Sequence, residues 1–254
     1  TTLTADSTTS HDTAYEDEPT TFTNNPVSCL LDYMRNPRFG KALANSSFDF
    51  DSWKTAADLC DQTVTYTNST TSKAFTCDAV LDTKNSLMVN IKIILAGFRG
   101  MLPYQAGKYK CKIEHGGDDT DITATPSDPT TVFTVTADHI IGGLRLEGES
   151  KQHKANRVVV TYVDPEADFQ PNDVTFPEEG SADDISFLAD DNNIRLEKKI
   201  TLPTITNRSI AEQYARVFLK RSRAQKYVSF NTNLATSNTT VGDLIRVQST
   251  TMGL

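Results

Sequence analysis

No apolar run in this 254-residue chain approaches the ~18 residues of a membrane-spanning helix, the most hydrophobic stretch being Val89 to Leu95, so no membrane-spanning segment is expected. Cysteine is scarce: Cys29, Cys60, Cys77 and Cys111 never form the close C-x₂₋₄-C pairs that bring two thiolates onto one zinc ion. Cys60 falls on an amphipathic helix and Cys111 on the apolar side of a strand, where reduced, packed thiols are ordinary. The four histidines, His11, His115, His139 and His153, stand alone, and no H-E-x-x-H pair occurs. The serine-hydrolase elbow G-x-S-x-G and the phosphate loop G-x-x-x-x-G-K-[ST] are absent, and Gly142-Gly143 lacks the spacing of a dinucleotide fingerprint. No cofactor and no metal are therefore expected.

Carboxylates do pair, at Asp49/Asp51, at Asp118, Asp119 and Asp121, at Glu178/Glu179 and at Asp190/Asp191. A glycosidase needs such pairs as acid and base. These positions read more simply as helix caps and turns: Asp51 precedes a helix, Asp118 to Asp121 follow Gly116-Gly117, and Asp190-Asp191-Asn192-Asn193 is a loop. A calcium loop would need a D-x-[DN]-x-[DN]-G spacing that is missing. The sequons at Asn45, Asn68, Asn207 and Asn238 occur at chance frequency in a chain this rich in Asn, Ser and Thr, so they do not argue for glycosylation.

The chain has a formal charge of −8. Between Asn207 and Lys226 the balance inverts: Arg208, Arg216, Lys220, Arg221, Arg223 and Lys226 face one acid, Glu212, so this segment carries +5 and the rest −13. Ile210, Tyr214, Val217 and Phe218 lie at helical spacing, which predicts an Asn207-capped helix with its cations outside. The aromatics fall on the apolar side and not among the cations, which favours a salt-bridged surface between subunits over nucleic-acid stacking. The candidate interface residues are Arg208, Arg216, Lys220, Arg221, Arg223 and Lys226, with Glu178/Glu179 or Asp190/Asp191 of a sibling copy as their counterparts.

Composition and periodicity divide the chain into three. Residues 1–25, with nine Thr in the first 23, read as an extended arm. Residues 26–136 read as a small α+β domain. Its helices are expected at Val27, Leu30, Leu31 and Met34, ending near Asn36 before Pro37; at Trp53, Ala56, Ala57 and Cys60, capped by Asp51 or Ser52; and at Leu87, Ile91, Ile94, Leu95 and Phe98, opened by Ser86 with Gly100 as the C′ residue. A strand is expected over Tyr109 to Glu114, with Cys111 and Ile113 inward. Residues 137–254 read as a β-barrel-like domain carrying the one long basic helix, with strands near 143–147, 157–163, 194–202, 227–230 and 244–247. The fold class is thus α+β. Beginning Thr1-Thr2 and stopping after Met252-Gly253-Leu254, the chain reads as an internal piece of something longer.

Seven segments in order resemble the central hub or tail-tip proteins of long-tailed bacteriophages, the lambda-type tip attachment family. They are N-P-V-S-C-L-L-D-Y-M-R-N-P-R-F-G from Asn25, D-S-W-K-T-A-A-D-L-C-D from Asp51, G-K-Y-K from Gly107, I-I-G-G-L from Ile140, N-R-V-V-V-T-Y-V-D-P-E-A-D-F-Q from Asn156, L-P-T-I-T-N from Leu202 with R-V-F-L-K-R-S-R from Arg216, and G-D-L-I-R-V from Gly242. The resemblance covers roughly Asn25 to Gly253. It implies a virion component assembled in the host bacterial cytoplasm, a homotrimeric ring closing the distal end of the tail tube, with barrel-type domains around the lumen and an inserted α/β domain. Its implied partners are identical subunits, the tail tube, other tail-tip proteins and a distal fibre, and it admits passing contact with phage DNA in the lumen. One departure is Ala42, where the N-P-x-[FY]-G segment often continues with a second glycine, so the turn after Gly40 is expected to differ. The expected role is structural and not enzymatic. The rivals are a cell-wall-degrading module on a tail tip, for which no site is visible, and a glycan-binding module, disfavoured by a single tryptophan on a buried helix face.

Overall fold

The computed structural model describes residues 22–66, 70–114, 133–148, 154–224 and 226–248. Outside them lie the Thr-rich arm to residue 21, His11, His115, His153, Asp118, Asp119 and Asp121, the sequon at Asn68, and the side chain of Lys226. Among the described residues there are five α-helices and a set of small sheets, one of three strands and five of two, none of them a closed barrel. The mixed class agrees with the sequence.

Helix α1 (Pro26–Arg35) starts where Asn25 accepts hydrogen bonds from the Val27 and Ser28 amides, with Pro26 in the first turn where no amide proton is needed. Its buried face is Val27, Leu30, Leu31 and Met34, as the spacing predicts. Asn36 then gathers the turn: its side chain accepts from Arg38 and Phe39, and its carbonyl from Gly40 and Ala42. A Cβ on Gly40 would lie 1.6 Å from the Tyr33 carbonyl oxygen, so only glycine fits this return. Ala42 sits at φ 53°, so the left-handed turn is made without the second glycine and with some strain.

Helix α2 (Phe50–Asp61) buries Trp53, Ala56, Ala57 and Cys60, yet starts before the expected caps. Asp49 occupies the N-cap without a side-chain bond, while the Ser52 hydroxyl donates to the Asp49 carbonyl at 2.7 Å. The Trp53 indole donates to the Tyr109 carbonyl at 2.9 Å and meets Phe48 edge-on at 5.4 Å. Strands β1 (Thr63–Thr65) and β2 (Thr71–Lys73) form a short hairpin.

Helix α3 (Leu87–Gly97) is capped by Ser86 and buries Ile91 and Ile94, with Phe98 fully buried just beyond. The left-handed residue after it is Arg99, at φ 54°, and not Gly100. Gly100 is required for space instead, since a Cβ there would meet the Phe98 ring at 2.3 Å. The expected strand at 109–114 is split. β3 (Gly100–Met101) pairs with β6 (Lys112–Ile113), and β4 (Tyr104–Gln105) with β5 (Lys108–Tyr109), while Cys111 and Ile113 point inward as predicted.

The larger sheet has three strands. Central β9 (Arg157–Asp164) runs antiparallel to β10 (Gln170–Phe176) and parallel to β11 (Glu197–Thr201), with α4 (Ala182–Asp190) in the crossover. Val158, Val160 and Tyr162 of β9 join Val174 and Phe176 on the core side. Helix α5 (Arg208–Ala224), capped by the Asn207 side chain on the Ser209 amide at 2.8 Å, packs on β9 and β10.

Buried residues from both sides of position 136 belong to one contiguous core. The Thr204 loop before α5 is stitched to the helical part: Asp78 N donates to the Thr204 carbonyl at 3.0 Å, the Thr206 hydroxyl to Asp78 at 2.8 Å, and a Cβ on Gly97 would strike the Thr204 hydroxyl. Apart from this core stand two ribbons. β8 (Ile140–Gly148) pairs antiparallel with β12 (Lys226–Thr232), with a register shift between Ser229 and Asn231. β7 (Phe133–Val135) pairs parallel with β13 (Ile245–Val247).

Candidate assembly surface

The basic helix is more deeply set than its charge suggests. Ala211, Ala215 and Leu219 are fully buried, along with Ile210 and Val217, while Ser209, Gln213 and Ser222 are also covered. Tyr214 and Phe218, expected in the buried stripe, are only partly covered. The helix is therefore enclosed on more than one side, by the β9–β10 sheet and by the helical part through Ala74, Phe75 and Arg99.

Its cations meet acids of their own chain. Arg223 donates through Nη1 to Asp191 at 2.8 Å and through Nη2 to Asp190 at 2.9 Å, and its guanidinium lies 4.6 Å from the Phe187 ring centre. Asp191 also takes bonds from Lys154 and from the Asn156 amide. Burial pushes the Asp191 carboxyl up, but the hydrogen bonds from Lys154, Arg223 and Asn156 outweigh it and hold its pKa below the usual carboxylate value. Asn156 then bridges onward, donating to the Ile194 carbonyl at 2.7 Å and accepting from the Leu196 amide at 2.8 Å, which fixes the approach to β11.

Arg216 lies over the Phe176 ring at 4.4 Å and 3.7 Å from Glu212, one helical turn away. Arg221, exposed, pairs with Glu114 across the junction between the helical part and α5. Arg208 is exposed at the N-terminus and contributes to the low pKa of Asp164, which is set first by the Asn172 amide. Lys220 is half-covered on the helix, and the Lys226 side chain is outside the described residues. The other acidic pair is also engaged within the chain, Arg157 reaching Glu179 at 3.5 Å. In α4, Asp184 forms a two-pronged pair with Arg195, whose hydrogen bonds hold the Asp184 carboxyl low against the cost of burial.

A further exposed apolar surface lies on and beside the ribbons. Ile141 (57% exposed), Leu146, Tyr227, Leu234 (88%), Val241 and Ile245 all face solvent. Two open grooves run there: one of about 460 Å³ bounded by Gly143, Arg145, Val228, Phe230 and Ile245, another of about 600 Å³ bounded by Ile141, Thr232 and the Leu234–Ser237 turn. Across β8, Arg145 pairs with Glu147 on the same face. β8 and β12 hydrogen-bond only to each other, leaving both outer edges of a long ribbon unpaired among the described residues. Sequence reasoning located these strands but not their exposure. The available signal was I-I-G-G-L-R-L-E, whose apolar positions occur on both faces of a strand with no amphipathic helix nearby to cover either.

Among the described residues no three of His, Cys, Asp and Glu gather into a potential metal site, and no helix is long and apolar enough to cross a membrane. His139 bonds the Thr136 hydroxyl and amide, closing the short turn before β8.

Residues 115–254 match the profile of a family described as "Putative phage tail protein". Over 228 residues, 89% of the chain, it is 27% identical to tip attachment protein J of Escherichia phage SECphi27. Over 154 residues, 61% of the chain, it is 25% identical to baseplate hub protein pb3 of Escherichia phage T5. The chain spans only 18% and 14% of the length of those two relatives. Among solved structures it is similar to a chain of the virion of a native gene transfer agent particle, at 14% identity and TM-score 0.47 over 64% of this chain and 33% of that one. It is also similar to a 43 kDa tail protein of prophage MuSo2 from Shewanella oneidensis, at 12% identity and TM-score 0.38 over 67% and 47%.

Proposed function

The chain belongs to this phage tail protein family, and from that premise we propose that it is a structural part of a tail-tip or baseplate hub, built into the virion as a ring of identical copies. The ring is a homotrimer that docks to the tail tube on one side and carries fibre or receptor-binding parts on the other. Residues 26–136 and 137–254 act as two lobes of one rigid body, and the work done is mechanical and not catalytic.

The observation that carries this reading is the exposed ribbon. A head-to-tail ring contact needs two different patches on each subunit that fit each other. The β8–β12 ribbon supplies two differently lined grooves and two open strand edges, with apolar residues between them. A second copy of the chain is the occupant: pairing ribbon to ribbon satisfies the edge amides and carbonyls, covers Ile141, Leu146 and Ile245, and extends the small sheets toward a barrel around the lumen. Such a barrel also gives the lumenal wall along which phage DNA passes.

Light scattering on the purified chain tests it. A mass of three subunits is expected, reduced to one by Ile141→Asp with Leu146→Lys while thermal unfolding of the subunit is preserved. A wild-type chain that stays monomeric at about 100 µM overturns the ring, since a contact that weak cannot hold a particle together. A clearing zone from the purified chain on host peptidoglycan overturns the non-enzymatic part.

A further inference from the structure

Two buried donors meet at the joint between the helical part and α5, in a cavity that the tail reading does not use. The cavity is about 10 Å³ and is lined by Ala74 and Phe75 after β2, Arg99 after α3, and Ile210, Gln213 and Tyr214 of α5. Room of that size admits one small guest. Arg99 Nη1 and Gln213 Nε2 are both shut off from solvent, and neither has a hydrogen-bond partner among the described residues. Each belongs to a residue more than nine-tenths buried, Arg99 at 9% exposure and Gln213 at 8%. Arg99 is held in place by its backbone, at φ 54° with its carbonyl accepting from the Glu114 amide at 3.0 Å, and its guanidinium lies 5.3 Å from the Phe75 ring centre. Burial lowers its pKa, yet an arginine keeps its charge in a protein. The neighbouring carboxylate, Glu114, is already paired with Arg221, so two guanidiniums share one negative charge.

We propose that this cavity is a binding site for one small monovalent anion, chloride in ordinary buffer, held by the Arg99 guanidinium and the Gln213 amide. The inference stands on this geometry and is independent of the tail assignment. Two unpartnered donors lining one small space call for a guest that accepts from both. A water molecule accepts, but it brings two protons that need acceptors of their own and leaves the Arg99 charge uncompensated. Chloride accepts from both N–H groups and neutralises the cation, which is otherwise costly to keep out of water. Turning the Gln213 amide end for end would offer Arg99 an oxygen but no negative charge, so the imbalance persists in either orientation. Sulfate and phosphate are too large for the space. Ala74, Phe75 and Ile210 supply an apolar wall, within which a charge-assisted hydrogen bond is stronger than in water. Because Arg99 is carried by the end of α3 and Gln213 by α5, the anion bolts the helical part to the helix that packs on β9 and β10.

The test is thermal unfolding of the full chain in sodium chloride and in sodium gluconate at the same ionic strength, gluconate being too large to enter. The expected midpoint is higher by about 2 to 4 °C in ~200 mM chloride than in gluconate, and it rises with the logarithm of the chloride concentration. Bromide substitutes for chloride. Gln213→Glu places a carboxylate beside Arg99 and is expected to unfold at one temperature in both salts, because the charge is then supplied by the chain itself. Gln213→Met keeps the bulk, removes the donor and is expected to shrink the chloride shift; it decides alone if the glutamate variant fails to fold. Equal wild-type midpoints in the two salts, the result that a bound water would give, overturn the proposal. So does a chloride shift that survives undiminished in either variant, since the anion then binds elsewhere on the chain.

Discussion

Replacing Arg223 by alanine separates a clamp inside the subunit from a contact between subunits. In the structure the guanidinium serves Asp191 at 2.8 Å, Asp190 at 2.9 Å, the Ala155 carbonyl at 3.4 Å and the Phe187 ring at 4.6 Å. The Asp190 carboxylate is 60% exposed, so that arm contributes at most about 0.5 kcal/mol. Asp191 is 5% exposed and Arg223 14%. Removing one partner from a carboxylate so covered costs about 2 kcal/mol, held to that figure because Lys154 and Asn156 still bond it. Loss of the stack on Phe187 adds about 0.5 kcal/mol. The sum is about 3 kcal/mol, or roughly 6 to 12 °C in the unfolding midpoint of a chain this size. The assay is thermal unfolding followed by circular dichroism at two protein concentrations about a hundredfold apart, with Asp191→Asn and the double variant completing a cycle. A clamp within the chain gives the same loss at both concentrations and a coupling of about 1 to 2 kcal/mol between the two sites. A loss below about 0.5 kcal/mol, or one that grows or shrinks with concentration, refutes the intramolecular reading and returns Arg223 to the subunit interface.

Acid should weaken the fold through the same carboxylates. Asp191 and Asp184 both have folded-state pKa values held below the ordinary carboxylate value, so their contribution is present above about pH 4 and is lost as the pH falls through their lowered values. Denaturant midpoints measured between neutral and strongly acid pH should drop on that limb, and Asp191→Asn should flatten the drop; a wild-type curve with no acid limb contradicts the assignment. At Ala42, φ 53° puts an alanine in a conformation that favours glycine, so Ala42→Gly should stabilise by about 0.5 to 1 kcal/mol after the entropy of a freer unfolded chain is subtracted. Equilibrium urea unfolding reads this directly, and a destabilised variant would mean the turn is not strained.

The parts of the fold legible in the sequence are those where one physical signal dominates. The buried faces of α1 and α2 follow from apolar spacing alone, and Ser86 and Asn207 cap as their side chains require. Signals failed where two demands fell on adjacent residues. Gly100 reads as a helix terminator, yet Arg99 takes the left-handed conformation, because Gly100 is needed for passage beside the Phe98 ring. The strand at 109–114 alternates cleanly in sequence but is broken between Tyr109 and Lys112, where the Lys110 amide turns aside to the Pro103 carbonyl at 2.9 Å. At Ala42 the chain adopts a left-handed φ of 53° with an alanine, a conformation that residue type argues against. The exposed ribbon was legible as strands and illegible as surface, since alternation tells which residues share a face but not whether anything covers it.

The charge asymmetry that marks the sequence has its outlet largely within the subunit. Of the candidate cations, Arg223 is committed to Asp190 and Asp191, Arg221 to Glu114, and Arg216 to Glu212 and the Phe176 ring. Two of those acids, Asp190 and Asp191, were expected to receive cations from a neighbouring copy; within the single chain both are taken by Arg223. The physical reason is that a helix covered on more than one side cannot keep its cations on a single free stripe: Arg216 and Arg223 are drawn into the joint between sheet and helices, where an aromatic face and a carboxylate each replace part of the lost water. Charge then helps set the subunit's internal register, and on the ring proposed above the joining of copies would fall to surface that is apolar and exposed. If that proposal holds, reversing the charge of Arg223 should damage the subunit itself, whereas placing charge on Ile141 and Leu146 should leave the subunit whole and separate the proposed ring.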